Sequence, residues 1–109
     1  MLGFLDAVRT LILYRNQLMD EYKATAYTDY NIQIYTVNAL IGTLKFKVAD
    51  FMNSQPKLNK VVLYLYYLKA NSWEKTMNLV GLDESDGKTL MKKIFQVCSE
   101  WDETHFRFE

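Results

Sequence analysis

Ser85, Lys88, Thr89, Lys92 and Lys93 place two hydroxyls and three cationic side chains within nine residues. On a helix, positions three and four apart share a face, so Lys88 and Lys92 fall together with Ser85 and Thr89 beside them. Such a face can donate hydrogen bonds to the phosphates and base edges of duplex DNA. Lys69, earlier in the chain, is a further candidate for phosphate contact. The preceding stretch, Ser72-Trp73-Glu74-Lys75-Thr76-Met77-Asn78-Leu79-Val80-Gly81-Leu82, reads as a short helix stopped by a glycine turn. Helix, sharp turn and second helix are the parts of a helix-turn-helix, whose second helix enters the major groove.

Those side chains need helices to hold them. Ser72 is a good N-cap for the short helix, Glu74 suits its dipole, and Gly81 can end it in the left-handed region. Asp83 can cap the next helix, expected to run to about residue 101 on a stripe of Leu90, Ile94, Val97 and Trp101. Upstream, Asn53-Ser54-Gln55-Pro56 breaks the chain, and Pro56 suits the first turn of a helix ending at Ala70-Asn71-Ser72. Leu58, Val61, Val62, Leu65 and Leu68 mark the expected buried face of that helix, with Tyr64 and Tyr67 toward its sides. Residues 57–101 thus read as a three-helix, helix-turn-helix-like unit, followed by a tail over 102–109.

The N-terminal half is more regular. Leu5, Val8, Ile12, Met19 and Tyr22 form one three-four stripe over residues 3–25, with Phe4, Leu11, Tyr14 and Leu18 beside it. Thr28 and Asp29 can cap a second helix on which Ile34, Val37, Ile41, Leu44, Val48 and Phe51 repeat at the same spacing. Two long helices with a short link lie antiparallel, so residues 3–52 predict a helical hairpin with coiled-coil-like packing. The same pair can serve as a homodimer interface.

Composition sets the class. The chain has 109 residues, half of them apolar, with sixteen aromatics, four glycines and one proline. That supports a single all-α domain over 1–109, a folded chain with long uninterrupted elements. Net charge is zero, but residues 44–71 carry five basic groups (Lys45, Lys47, Lys57, Lys60, Lys69) against Asp50, while 72–109 carry five basic and eight acidic groups. Clustering of this kind can attract phosphate, although the acidic C-terminal third opposes it. The single cysteine, Cys98, cannot form an internal disulfide and reads as a small buried hydrophobe. The apolar stretch Leu2 to Tyr14 is too short, and too interrupted by Asp6 and Arg9, for a membrane span or signal peptide; a cytoplasmic setting is the expectation.

Chemistry beyond binding finds no support in the residue pattern. There is one histidine, His105, with no second histidine or cysteine at metal-ligand spacing, and no phosphate-cradling glycine loop. Neighbouring acids such as Asp20-Glu21 and Asp102-Glu103 point apart on a helix. We therefore expect no enzyme, no metal and no cofactor. The aromatics support a different role. A domain this small cannot bury sixteen of them, and exposed tyrosine and tryptophan favour protein interfaces. Tyr64, Tyr67, Trp101 and Phe106 are the candidate contacts for a host protein.

Residues 58–95 carry a family resemblance. Leu63 to Leu68, Asn71-Ser72-Trp73-Glu74-Lys75, Leu79-Val80-Gly81 and Lys92-Lys93 together resemble the C-terminal half of phage transcriptional regulators of the RinA/ArpU type. Those proteins are similar to region 4 of bacterial sigma factors, with a helix-turn-helix begun by a Ser-Trp-Glu sequence. The resemblance covers about a third of the chain and implies late-gene or packaging-gene control through duplex DNA. Two positions depart from the pattern: Met77 stands where the first helix has a small residue, and Gly87 where a branched apolar residue anchors the second. Met77 would then push the two helices apart. The run Asp83-Glu84-Ser85-Asp86 is acidic where the motif approaches phosphate, and helix capping accounts for those acids equally well.

Two functions follow as expectations. One is a small phage-encoded DNA-binding regulator with a degenerate helix-turn-helix. The other is a phage-encoded interaction module, an inhibitor or adaptor of a host protein that does not bind nucleic acid.

Overall fold

The protein is described from a computed structural model covering residues 1–25 and 28–105. Among these residues, five helices form an all-α architecture: α1 (Leu2–Thr25), α2 (Thr28–Asn53), α3 (Lys57–Leu63, continued by a π-helical turn over Tyr64–Leu68), α4 (Trp73–Val80) and α5 (Glu84–His105).

α1 and α2 pack against one another. Met1 and Leu5, at the start of the chain, cluster with Val48, Phe51 and Met52 at the end of α2. Val8, Ile12 and Leu18 cluster with Val37 and Ile41 further along. Only an antiparallel pair brings both sets together. The α1 stripe departs from its expected course in its second half, where Leu18 is buried and Met19 exposed. A straight helix drifts relative to a strict heptad seam, so the neighbouring stripe takes over after a few turns. Arg15 occupies the intervening seam position and donates to Asn38 Oδ1 across the pair at 3.3 Å.

Pro56 lies one residue before α3, as its N-cap, and not within its first turn. The buried face of this helix differs more sharply from expectation. Val62, Leu63 and Tyr67 are buried, whereas Leu58 and Val61 are exposed. Residues 61–68 are apolar or aromatic throughout, so no polar side chain marks an outer face and periodicity alone cannot fix the phase. Packing against the hairpin and α5 fixes it. The helix then widens, with Lys69 N donating to Tyr64 O at 2.9 Å, five residues back.

Ala70 follows with φ 55, the one non-glycine positive φ among the described residues, and turns the chain toward α4. Arg9 of α1 holds this corner from outside. Its Nη2 donates to Asn71 O at 3.3 Å, and its guanidinium lies 4.4 Å from the centroid of Tyr66. Tyr66 in turn meets Trp73 edge-on at 5.3 Å, so the start of α4 is set by an aromatic contact reaching back to α1.

One core draws on all five helices: Met1 and Leu5, Val48 and Phe51, Val62 and Tyr67, Met77, then Leu90, Ile94 and Cys98. α5 continues past residue 101 to His105, where a tail was expected to have begun. Packing explains the extension. The His105 ring stacks on Trp101 with centroids 3.6 Å apart, Trp101 meets Phe51 edge-on at 5.4 Å, and Asp102 pairs with the Met1 amine. No helix among the described residues is long and apolar enough to cross a membrane.

Candidate nucleic-acid interface

α4 and α5 are delimited by local chemistry visible in their sequences. Ser72 Oγ accepts from Lys75 N at 3.1 Å, capping α4. Thr76, fully buried, donates its hydroxyl to Ser72 O at 2.8 Å. Gly81 ends the helix at φ 76, and Leu82 N donates to Met77 O at 3.0 Å, closing a Schellman-type turn. Asp83 Oδ1 then accepts from Asp86 N at 2.7 Å and caps α5.

The contact between the two helices corrects an expectation. Met77 and Gly87 are both buried, and a Cβ built on Gly87 would lie 2.9 Å from Met77 Sδ. The long side chain of α4 thus fills the space left by the missing side chain of α5. Met77 does not push the helices apart, because Gly87 makes room for it.

Ser85, Lys88, Thr89, Lys92 and Lys93 are all exposed. At 100° per residue, Ser85, Lys88, Thr89 and Lys92 lie within an arc of about 100° on α5. Gly87, Leu90, Ile94 and Cys98 occupy the opposite side and are buried. Lys93 is separated from Lys88 by about 140° around the helix. It borders a cleft of about 460 Å³ together with Pro56, Asn59 and Glu100, so it does not join the other four. Thr89 donates its hydroxyl hydrogen to Ser85 O at 3.2 Å, leaving its lone pairs outward.

Electrostatics divide the lysines. Lys88 Nζ lies 3.3 Å from Glu84 Oε1, and Lys88 borders a cleft of about 520 Å³ with Glu74, Asp83 and Glu84. Three acidic residues thus line the cleft that Lys88 borders, and only Glu84 is within ion-pair distance of it, an exposed pair worth little in water. Lys45 and Lys60 lie elsewhere, at a cleft of about 460 Å³ between α2 and α3 whose lining includes Val61, Tyr64 and Leu68. Lys69 belongs on that side, its ammonium 5.5 Å from the centroid of Tyr64.

The aromatic candidates separate as well. Tyr64 is exposed and available to a partner. Tyr67 is a correction: at 2 % exposure it is a core residue, turned inward by the phase of α3, and no partner can reach it. Burial raises its phenol well above the ordinary tyrosine range. Trp101 is half-buried, held between Phe51 and His105. Phe106 lies outside the described residues. Cys98 is buried as expected, and desolvation pushes its thiol up to about 11, with Asp102 adding to the rise and the chain's amine opposing it.

Ile32, Tyr35 and Phe46 lie outside the candidate contacts read from the sequence. They are exposed by 66, 79 and 84 % on α2, opposite the hairpin seam. Their signal was the absence of charge between Asp29 and Lys45, masked by the strength of the seam periodicity.

No family model, no curated protein and no solved structure matches the chain. Fold and site together define a class: a small all-α protein in which a helical hairpin supports a capped helix, a glycine turn and a longer helix with a polar outer face.

Proposed function

We propose that the chain is a small, cytoplasmic, phage-encoded DNA-binding regulator that reads duplex DNA with the outer face of α5. One observation carries this reading. Ser85, Lys88, Thr89 and Lys92 stand exposed within a single arc of a helix that starts directly after a left-handed glycine turn. Lys88 and Lys92 supply the charge for phosphate, and Ser85 and Thr89 supply short hydrogen-bonding groups for base edges or backbone. The buried fit of Met77 over Gly87 supports it, because close packing of the first helix keeps the second in a fixed pose. The resemblance to RinA/ArpU-type regulators supports it as well.

The test is a titration of the full chain on a mixed-sequence duplex at several salt concentrations. Binding should weaken as salt rises, and Lys88→Ala with Lys92→Ala should reduce the slope of log affinity against log salt by about 2. Affinity with no salt slope, or a slope untouched by the double variant, would count decisively against it.

A second reading rests on a different observation, the three carboxylates that share a cleft with Lys88. In that reading the protein is an interaction module that presents this acidic surface to a basic host protein. A pull-down from nuclease-treated extract separates the two, since only the interaction module retains a stoichiometric protein partner there.

A further inference from the structure

The outer face of α2 is apolar where solvent-facing helices are ordinarily charged. Fifteen consecutive residues, from Tyr30 to Leu44, carry no charge. The hairpin seam accounts for only one side of that run, where Val37 and Ile41 are buried. On the opposite side Ile32, Tyr35, Ala39, Gly42, Thr43 and Phe46 fall within an arc of about 100°, and all six are exposed. Aromatic residues with depleted charge are the composition of an interface centre.

We infer that this face pairs with the same face of a second copy of the chain, antiparallel about a two-fold axis between Leu40 and Ile41. The order of residues is self-complementary about that point. Tyr35 and Phe46 are equidistant from it, and so are Ala39 and Gly42. Each Tyr35 then lies opposite the partner's Phe46, while Ala39 meets the partner's Gly42, where missing side chains let the backbones approach. Packing within one chain does not call for a glycine here: a Cβ at Gly42 would meet nothing within 4 Å. Glycine in a helix interior costs stability, so close approach of another chain gives the position a reason.

Area and shape point the same way. Two aromatic side chains and an isoleucine, exposed to this degree, offer on the order of 500 Å² per copy. Complete covering of these side chains in both copies would bury about 1,000 Å² in total, the least that a specific interface needs. The chain is a plate of 44 × 41 × 17 Å with a radius of gyration of 15.9 Å, against about 13 Å for a compact domain of this length.

Sedimentation of the full chain without nucleic acid tests the pairing and leaves the DNA reading to its own experiment. The wild type should sediment as a concentration-dependent species of twice 12.9 kDa. Phe46→Glu should weaken association by about 30-fold or more while leaving the far-ultraviolet spectrum unchanged, because the side chain is exposed in the monomer. Adding Tyr35→Lys to Phe46→Glu should restore association, since the antiparallel register sets each new lysine against a new glutamate. A wild-type chain that stays monomeric at tens of micromolar overturns the inference, as does a dimer indifferent to Phe46→Glu. A double variant no better associated than Phe46→Glu alone overturns the antiparallel register.

Discussion

Gly87 lies beneath Met77, and the Cβ it lacks would sit 2.9 Å from Met77 Sδ and 3.2 Å from Met77 Cγ. Two positions that look like separate departures from a helix-turn-helix pattern are therefore one exchange of volume across the α4–α5 contact. A buried glycine opposite a buried methionine conserves the space that a small residue opposite a branched one would fill.

The exchange predicts coupling. Gly87→Val should destabilise the fold by about 1–3 kcal/mol through overpacking, and Met77→Ala by about 2–5 kcal/mol through a cavity. The double variant should be more stable than the two costs added together, with a coupling of about 1 kcal/mol or more in urea titrations. Gly87→Ala should fall near neutrality: its helix-propensity gain of about 1 kcal/mol offsets the small displacement of a flexible thioether.

Ala70 invites the opposite substitution. Its φ of 55 places an alanine in the left-handed region, which costs an L-residue roughly 1–2 kcal/mol. Ala70→Gly removes that strain and loses a half-buried methyl, so a net stabilisation of about 0.5 kcal/mol is expected in thermal melts. Gly81→Ala is the mirror experiment at φ 76 and should destabilise by about 1 kcal/mol.

Alkaline pH should unfold the protein through its buried acids. Cys98 is raised by burial to about 11, so in the window above the ordinary thiol pKa of 9.0 the folded state holds a proton that the unfolded state releases. The Cys98 contribution to stability is therefore constant through neutral pH and falls as pH rises from about 9. Tyr67, also raised, extends the fall at higher pH. Cys98→Ala should flatten the first part of a stability-against-pH curve. In the native state at pH 8 the thiol should react with a disulfide reagent only as fast as the protein opens.

The acidic start of α5 gives the DNA reading a gain-of-function prediction. Asp83→Asn keeps a capping side chain, and Glu84→Gln releases Lys88 from its carboxylate neighbour at 3.3 Å. Together they should raise affinity for a mixed-sequence duplex several-fold and change stability by no more than about 0.5 kcal/mol. For the interaction module, the same pair should weaken binding of a basic protein partner.

Much of this fold is legible locally. Ser72, Gly81 and Asp83 each mark a helix end through hydrogen bonds made within a few residues, so the boundaries of α4 and the start of α5 follow from residue type. The seam of α2 is equally plain, because Val37, Ile41, Val48 and Phe51 repeat at helical spacing over several turns. Exposure of Ser85, Lys88, Thr89 and Lys92 follows from the stripe of Leu90 and Ile94 on the other side of the same helix.

What required the third dimension lacked a local cause. The inward turn of Tyr67 came from packing, since Val61 to Leu68 offer no polar residue to set a phase. The last turn of α5 is held by Trp101 on Phe51, a residue fifty positions earlier. Met77 and Gly87 compensate only because α4 folds back onto α5. The separation of Lys93 from Lys88, and of both from Lys45 and Lys60, likewise depends on which helix faces bury. Periodicity and capping are short-range physics, carried by neighbouring residues; phase, volume matching and the grouping of charges are set where distant segments meet.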